Sequence, residues 1–236
     1  MTHDARTCLS WWFPRLEATG VPVPRTLITR TESYLISLLD GQKPAGFDEL
    51  VAQLRLSAIE VGLPCFLRTG MGSDKHGWKD SCYVTDLVQI PRRVARLVEW
   101  SLIVDMAGLP FDVWVVREFL PIEPAFQAFR GDMPVNRERR YFFSEGRVVS
   151  RVSYWENEDA FVNHRKPDGW RTMLAEVNRQ TDEEVAELTQ LTLRVAEAFR
   201  GEGGWALDWL WTKRGWYATD MAEAYRAWGC PKELES

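Results

Sequence analysis

Apolar residues recur at helical spacing in four parts of the chain. The predicted helices are Cys8 to Ala18, Phe47 to Val61, Pro91 to Met106 and Thr181 to Phe199. In the second, Leu50, Leu54 and Ala58 fall on one face, as expected of a helix that packs on a core. The fourth begins with Thr181 and Glu184 at the spacing of a capping box, which satisfies backbone amides of the first turn. We therefore expect three helices in the first half of the chain and one in the second half.

Short runs rich in β-branched and aromatic residues predict strands between these helices. The predicted strands are Val21 to Thr29, Cys65 to Arg68, Val113 to Leu120, Ala125 to Phe129, Arg140 to Phe143, Arg147 to Tyr154, Gly204 to Trp211 and Gly215 to Met221. A further strand is predicted to begin at Trp78. Ser144-Glu-Gly146 is predicted to be a hairpin turn, since glycine readily adopts positive φ. Helices crowd the first part and antiparallel hairpins the second, a pattern typical of an α+β protein.

The composition is that of a globular protein, apart from its tryptophans. Of the 236 residues, 45 % are apolar and 27 % charged, and twelve are tryptophan, which we expect mostly in the core. This length suits one large domain or two lobes that share a cleft. The four cysteines (Cys8, Cys65, Cys82 and Cys230) lie far apart, which argues against a metal ribbon or a dense disulfide framework. Because no apolar run reaches signal-peptide or membrane-span length, we expect a cytoplasmic protein that is not a membrane protein.

Positive charge is concentrated in one segment of an otherwise acidic chain. The formal net charge is −5, which does not favour nonspecific binding of nucleic acid. Residues 137–151 nevertheless carry five arginines against two glutamates. The arginines are Arg137, Arg139, Arg140, Arg147 and Arg151. A basic island in an acidic protein is the arrangement that a bound polyanion favours.

Two cations flank a glycine-bearing loop in the first half of the chain. Arg68 ends a predicted strand, the loop Thr69 to Trp78 contains three glycines, and Lys79 follows it. Backbone amides of such a loop can approach phosphate oxygens closely, and the two cations would neutralise a triphosphate. The alternative is a plain surface loop.

The strand Val113 to Leu120 changes abruptly from apolar to charged. Four apolar residues lead into Arg117, Glu118 and Phe119. Unpaired charge in an interior costs free energy, so this pair either forms salt bridges at the end of the strand or marks the edge of a cleft. In the second case, the backbone there is placed to bind an adenine.

One face of a later strand carries an acid and a base two residues apart. Glu138, Arg140 and Phe142 share that face if the strand begins at Glu138. Glu138 could orient Arg140, whose guanidinium matches phosphate oxygens bidentately. The alternative is a solvated strand face.

The last two predicted strands each place an aspartate among apolar or aromatic neighbours. Antiparallel pairing of these strands could bring Asp208 and Asp220 together. Two close carboxylates repel each other unless a cation lies between them, and Mg²⁺ takes few carboxylates together with phosphate oxygens. The alternative is a pair of ordinary hairpin charges.

These four pieces, in this order, resemble the ATP-grasp superfamily. More narrowly, they are similar to the branch marked by two arginines and one lysine, which includes phage and bacterial ATP-grasp proteins and the chaperone family that assembles translation initiation factor 2. The resemblance extends roughly from Pro24 to Trp228. It rests on Phe66-Leu-Arg68 with Trp78-Lys79-Asp80, Val115-Val-Arg-Glu-Phe119, Glu138-Arg-Arg-Tyr-Phe142, and the paired Asp208 and Asp220.

The resemblance implies an α+β ATP-grasp fold, in which two α+β lobes with antiparallel sheets enclose a nucleotide cleft. Residues 1–110 would form an N-terminal part with the phosphate-binding loop, and residues 111–236 a C-terminal lobe with the metal site. The implied roles are phosphate binding for Arg68 and Lys79, an adenine hinge for Arg117, Glu118 and Phe119, γ-phosphate contact for Arg140 beside Glu138, and Mg²⁺ binding for Asp208 and Asp220. Arg140 and Lys79 would be the catalytic residues, with ATP and Mg²⁺ as cofactors.

One position departs from the superfamily pattern. Members commonly have asparagine two residues after the last metal carboxylate, where this chain has Ala222. The adjacent Glu223 would point to the other face of an extended strand. This departure puts a second metal position in doubt.

The resemblance implies two classes of function. ATP-grasp enzymes typically activate a carboxylate as an acyl phosphate, which an amine then attacks, so the first class is a ligase acting on a small-molecule or peptide carboxylate. The second is an ATP-binding assembly protein, similar to a chaperone, that acts on a protein partner. A nucleic-acid ligase that uses the arginines of residues 137–151 is a third possibility, against which the net negative charge argues.

Overall fold

A computed structural model describes residues 5–105, 108–129 and 132–235. The chain divides into two compact units. The first holds the described residues of 1–10, 24–119 and 129–133, and the second those of 11–23, 120–128 and 134–236. The main division follows Phe119 and not residue 110, because the strand Val113–Glu118 pairs with two strands of the first unit.

The first unit is built on an antiparallel four-stranded sheet. The elements from the start of the chain are α1 (Leu9–Ala18), which continues into the second unit, β1 (Thr26–Arg30), α2 (Phe47–Val61), β2 (Cys65–Thr69), β3 (Tyr83–Val84), α3 (Ile90–Ile103) and β4 (Val113–Glu118). The strand order is β1-β4-β2-β3. The sheet therefore has β4 and β2 at its centre.

The register of β2 and β4 assigns their residues to two faces. Leu67 lies opposite Val116, and both belong to a core cluster with residues of α2 and α3. Phe66 lies opposite Arg117, so these two and Arg68 belong to the other face. One face of the sheet thus forms the core, and the other carries two arginines.

The two predicted helices of this unit form for the expected reasons. The bounds of α2 match the prediction, and Gly62 ends the helix with a positive φ while its amide donates to Ala58. The helix α3 has Pro91 in its first turn, where a missing amide hydrogen is harmless. It ends at Ile103, and the predicted end at Met106 lies outside the described residues.

The second unit is built on another antiparallel four-stranded sheet. Its elements are β5 (Phe126–Ala128), β6 (Met133–Val135), β7 (Glu138–Ser144), β8 (Arg147–Ser153), α4 (Asp159–Val162), α5 (Trp170–Asn178), α6 (Asp182–Ala198), β9 (Trp205–Thr212) and β10 (Gly215–Glu223). The large sheet has the order β10-β9-β7-β8, and β5 pairs with β6 in a small separate sheet. The helices α4 and α5 were not expected from the sequence.

The side chains of β7 alternate between the face that packs on α6 and the opposite face, part of which the C-terminal segment covers. Arg139 lies opposite Trp209 in β9, and the Trp209 indole donates to Thr192 of α6. Arg140 lies opposite Asp208, so both belong to the other face. Arg140, Asp208 and Asp220, which lies opposite Asp208, therefore share the face that α6 does not cover.

The predicted capping box at the start of α6 is half present. The Thr181 hydroxyl accepts from the Glu184 amide at 3.2 Å, as predicted. The Glu184 carboxylate does not close the box, because it accepts from the buried guanidinium of Arg139. The carboxylate joins α6 to β7 instead.

Two local predictions have opposite outcomes. The turn between β7 and β8 has positive φ at Glu145 (49°) and Gly146 (72°), as a tight hairpin requires. The strand predicted to begin at Trp78 is wrong, because residues Lys75–Asp80 form a 3₁₀ helix. Gly77 donates to the Asp74 carbonyl there, so local bonds replace a strand ladder.

Most tryptophans contribute to packing, as expected. The seven buried ones are Trp12, Trp114, Trp155, Trp170, Trp205, Trp209 and Trp216. Within the described ranges, no helix combines the length and the apolar character that a membrane span needs.

Candidate functional site

Arg68 and Arg117 lie on the same face of the first sheet, on neighbouring strands. Both are buried, with 6 % and 5 % of their surfaces exposed. The Arg68 Nε donates to the Thr69 carbonyl at 3.2 Å, and the Arg117 Nε donates to the Thr26 hydroxyl at 3.0 Å. Guanidinium groups suit the binding of anions, so two arginines on one sheet face are candidates for holding a phosphate.

Lys79 belongs to the same unit but already has an anionic partner. Its Nζ lies 2.7 Å from Oδ2 of Asp132, and its side chain is 56 % exposed. An exposed pair of this kind contributes little to stability. A phosphate could therefore replace Asp132 at small cost.

The first part of the glycine-bearing loop does not offer its amides to a ligand. The amides of Met71 and Gly72 both donate to the Thr69 hydroxyl, and the Gly70 amide donates to the Val113 carbonyl. Packing also accounts for glycine here, since a Cβ at Gly72 would collide with an indole of α3. These amides already donate to acceptors within the protein, so their hydrogen bonds do not support the phosphate-binding role predicted for them.

Four aromatic rings cluster beside the predicted hinge. We call Phe66, Trp78, Tyr83 and Phe119 the aromatic cluster. The Trp78 ring lies 5.6 Å from Phe66, 5.2 Å from Tyr83 and 5.6 Å from Phe119, measured between centroids. Partly exposed flat rings of this kind suit a planar heterocycle such as adenine.

The predicted hinge residues differ in how their polar groups are used. Glu118 joins β4 to the segment before β1, since its amide donates to the Arg25 carbonyl and its carboxylate accepts from the Arg25 amide. Among the backbone hydrogen bonds of the described residues, none involves Phe119. Of the three predicted hinge residues, Phe119 therefore has the backbone groups best placed to bind a base.

In the second unit, pairing of β9 with β10 brings the two predicted metal ligands together. Asp208 lies directly opposite Asp220, beside an irregularity in β10 between Ala218 and Asp220. Asp208 is buried, whereas Asp220 is partly exposed and accepts from the Met221 amide at 3.2 Å. The two carboxylates share one face of the sheet.

Arg140 completes a row of charged residues across three strands. Its Nε and Nη2 donate to the two oxygens of Asp208 at 2.7 and 2.8 Å. Its Nη1 donates to the Trp228 carbonyl at 3.2 Å, and its guanidinium carbon lies 4.8 Å from the centre of the Tyr154 ring. Burial lowers the pKa of Arg140, but Asp208, with smaller contributions from Tyr154 and Asp220, raises that pKa above its ordinary value overall. The guanidinium therefore stays charged.

Two acidic residues near this row have other bonds. The Glu138 carboxylate accepts from the Trp155 indole at 3.2 Å, and Asp208 provides the bidentate carboxylate partner of Arg140. Glu223 lies opposite Trp205, on the α6 side of the sheet, and accepts from the Tyr225 hydroxyl at 2.9 Å.

The donor set fits a magnesium ion that arrives with phosphates. Asp208 and Asp220 provide two facing carboxylates, and no group of three or more possible protein ligands occurs among the described residues. Mg²⁺ binds through one or two carboxylates plus phosphate oxygens and water, and seldom in an all-protein cage. The pair therefore fits nucleotide-bound Mg²⁺ better than a resident structural ion.

The five arginines of residues 137–151 do not form one basic surface. Arg139 is buried against Glu184, whereas Arg140 pairs with Asp208 on the opposite face. Consecutive residues of a strand face opposite sides, so strand geometry divides the segment. The polyanion-binding island expected from the sequence is accordingly dispersed.

Each unit thus gathers its own subset of the predicted site. The first holds Arg68, Lys79, Arg117, Glu118 and Phe119, and the second holds Glu138, Arg140, Asp208 and Asp220. Sequence reasoning missed Asp132 and Tyr154 as partners of the two catalytic candidates. Tyr154 could have been recognised from the sequence, because it directly follows the strand β8. Asp132 lies in the connection between β5 and β6, where no sequence pattern indicates its position.

Comparison with known proteins gives matches among solved structures alone. No protein-family model and no curated protein matches the chain. The Hydrogenobacter thermophilus biotin carboxylase domain in complex with MgADP matches with TM-score 0.53 at 12 % identity, over 92 % of this chain and 39 % of that one. The Staphylococcus aureus N5-carboxyaminoimidazole synthetase matches with TM-score 0.51 at 9 % identity, over 92 % and 43 %. The ATP-grasp ligase PsnB, with a minimal precursor, matches at TM-score 0.48 and 14 % identity, over 92 % and 52 %.

These similarities concern the fold. The chain has an α+β ATP-grasp fold, with helices and antiparallel sheets in both units, as the resemblance of its motifs implied. It spans about half the length of PsnB and less of the other two proteins.

Proposed function

We propose that this chain, which has the ATP-grasp fold, binds Mg²⁺-ATP and acts as an ATP-dependent ligase that joins a carboxylate to an amine through an acyl phosphate. The observation that carries the proposal is the row of Arg140, Asp208 and Asp220 across three neighbouring strands. A cation and two carboxylates on one sheet face match the needs of a metal-bound triphosphate. The MgADP bound to the biotin carboxylase domain, a protein of the same fold, agrees with this proposal.

We assign the proposed roles from the contacts and burial of these residues. Arg68 and Lys79 would hold phosphate oxygens, and the Phe119 backbone with the aromatic cluster would bind the adenine. Arg140 would contact the phosphoryl group being transferred. When bound, Mg²⁺ supplies neutralisation of phosphate charge at Asp208 and Asp220. Positioning and charge stabilisation account for most catalysis of this type, so no general base is needed.

The proposal also includes the branch of the superfamily and the class of substrate. We place the chain in the branch marked by two arginines and one lysine, on the ordered motifs around Arg68, Lys79 and Arg140. Its substrate would be a small-molecule or peptide carboxylate.

The test is a coupled assay for ADP and phosphate. Purified protein with Mg²⁺-ATP is supplied with pools of amino acids, peptides and small acids, each with and without an amine. The proposal predicts ADP release that depends on a particular carboxylate, together with a product of the mass expected for an amide. An Asp220→Asn variant should be inactive, and an Arg151→Gln variant, altered at an exposed position of β8, should match the wild type.

A second candidate function is ATP-dependent assembly of a protein partner. The observation in its favour is Trp228, a residue that is 46 % exposed and whose carbonyl accepts from Arg140. A partner that covers this indole would adjoin the proposed phosphate ligand. Tight ATP binding without turnover on any acid pool would favour this candidate over the ligase.

A further inference from the structure

One ion pair joins Arg140, a proposed phosphate ligand, to Asp208, a proposed metal ligand. Arg140 donates to both oxygens of Asp208, at 2.7 and 2.8 Å. The two side chains are 13 % and 11 % exposed, so little water competes for them. Bidentate pairs between arginine and a carboxylate are among the stronger charge-assisted interactions in proteins.

This pair limits what the carboxylates can bind. While Arg140 holds both oxygens of Asp208, a cation approaching Asp220 meets a neighbouring positive charge and no second carboxylate from Asp208. The Asp220 Oδ1 also accepts from the Met221 amide. Mg²⁺ gives up its bound water reluctantly, so such a site is a poor one for the free ion.

Other contacts keep Arg140 in place if Asp208 leaves it. Its Nη1 donates to the Trp228 carbonyl, and its guanidinium lies over the Tyr154 ring at 4.8 Å. Both contacts tolerate a change of anionic partner, because neither uses Nε or Nη2. Arg140 can thus exchange a carboxylate for a phosphate without a large movement.

We propose that Arg140 blocks Asp208 until a nucleotide phosphate takes its place, so that the metal binds together with the nucleotide and not before it. This inference rests on the proposed binding of Mg²⁺-ATP and adds a binding order to it. Because coupling between two ligands is reciprocal, the metal must also increase nucleotide affinity. Removal of the guanidinium must then increase affinity for the metal alone.

The experiment titrates Mn²⁺, a paramagnetic substitute for Mg²⁺, into the full chain without nucleotide and follows free ion by electron paramagnetic resonance. Wild type is compared with Arg140→Gln, and Arg151→Gln is the matched control on the neighbouring strand. We expect at least tenfold tighter Mn²⁺ binding in Arg140→Gln, and wild-type binding in Arg151→Gln. Equal Mn²⁺ affinity in wild type and Arg140→Gln would overturn the proposal.

Two further measurements keep the result interpretable. Arg140→Lys keeps the charge but cannot form the bidentate pair, so its Mn²⁺ affinity should lie between those of wild type and Arg140→Gln. If the glutamine variant does not fold, the comparison of Arg140→Lys with wild type decides the question. With a non-hydrolysable ATP analogue added, Mn²⁺ affinity should increase more in wild type than in Arg140→Gln. If no variant binds Mn²⁺ even with the analogue, the proposed function fails; if the analogue promotes Mn²⁺ binding equally in all variants, only the blocking role of Arg140 fails.

Discussion

Arg139 and Arg140 are adjacent in the chain but lie on opposite faces of the sheet and have different partners. Arg139 is fully buried and donates to Glu184 and to the carbonyls of Val177 and Arg179. Burial lowers the pKa of Arg139, and the Glu184 carboxylate opposes that effect. Arg140 lies on the other face with Asp208. At the scale of single residues, Arg139 is a buried structural residue, whereas Arg140 belongs to the row with Asp208 and Asp220 on which the proposed function rests.

Replacement of Arg139 should therefore destabilise the fold strongly. Arg139→Met leaves the buried Glu184 carboxylate without its main partner, and we expect a loss of about 3–5 kcal/mol in the free energy of unfolding. Urea denaturation of the variant against wild type measures this. Arg151→Met, on an exposed position, should change stability by less than about 0.5 kcal/mol. A small effect at Arg139 would mean that the pair is not structural.

Two buried cysteines should make the protein sensitive to alkali. Burial raises the pKa of both Cys65 and Cys82 to about 12, from a value near 9 in the unfolded chain. Because the folded-state pKa is the higher one, their neutral thiols cost nothing below pH 9, and stability is lost as the pH rises from 9 towards 12. The urea midpoint of wild type should fall over this range by more than that of a Cys65→Ala, Cys82→Ala double variant. Parallel curves would contradict the prediction.

At the scale of elements, long periodic segments could be predicted and short ones could not. The bounds of α2 agree with the prediction, and those of α6 differ by one residue at each end, since apolar spacing and the Thr181 cap specify them. The helix α4 has only four residues, too few to show a period, and neither α4 nor α5 has a side-chain cap at its N-terminus. The buried Trp170, Leu174 and Val177 of α5 do have helical spacing, so α5 is an element that the sequence reasoning missed. The strand predicted at Trp78 is wrong because local 3₁₀ bonds and not a period determine its backbone.

The loop after β2 shows that glycine can indicate packing instead of ligand binding. A Cβ at Gly72 would overlap the indole of Trp100 in α3. We expect Gly72→Ala to destabilise the protein by about 1–3 kcal/mol through overpacking. Nucleotide affinity, measured below the melting temperature, should stay within about twofold, since the Gly72 amide already donates to Thr69.

Ser73→Ala, in the same loop, is the control and should leave stability within about 0.5 kcal/mol of wild type. If Gly72→Ala melts like wild type but loses nucleotide, the loop has a ligand-binding role that its hydrogen bonds do not indicate.

At the scale of the whole molecule, the sequence predicted the fold class and the ordered motifs. The α+β ATP-grasp fold is confirmed by the structural similarities. The predicted antiparallel pairing of the last two strands does bring Asp208 opposite Asp220. The sequence did not predict that Arg140 lies opposite Asp208. What could not be predicted is which partner each charge prefers: Arg140 bonds to Asp208 and Lys79 to Asp132, because such pairings depend on register and loop positions.

The proposed function assigns ligand-binding charges to each of the two units. The first unit contributes Arg68 and Lys79, and the second contributes Arg140, Asp208 and Asp220. A triphosphate with its metal is the ligand that needs cations and carboxylates at once. Variants in either unit should therefore weaken binding of Mg²⁺-ATP.

Calorimetry with a non-hydrolysable ATP analogue, with and without Mg²⁺, tests this claim most directly. We expect saturable heat with wild type in Mg²⁺, at least tenfold weaker binding without Mg²⁺, and a similar loss in Arg68→Gln and Asp220→Asn. The Arg151→Gln control should bind as wild type does. Absence of heat with wild type, or undiminished affinity in Asp220→Asn, would contradict the account.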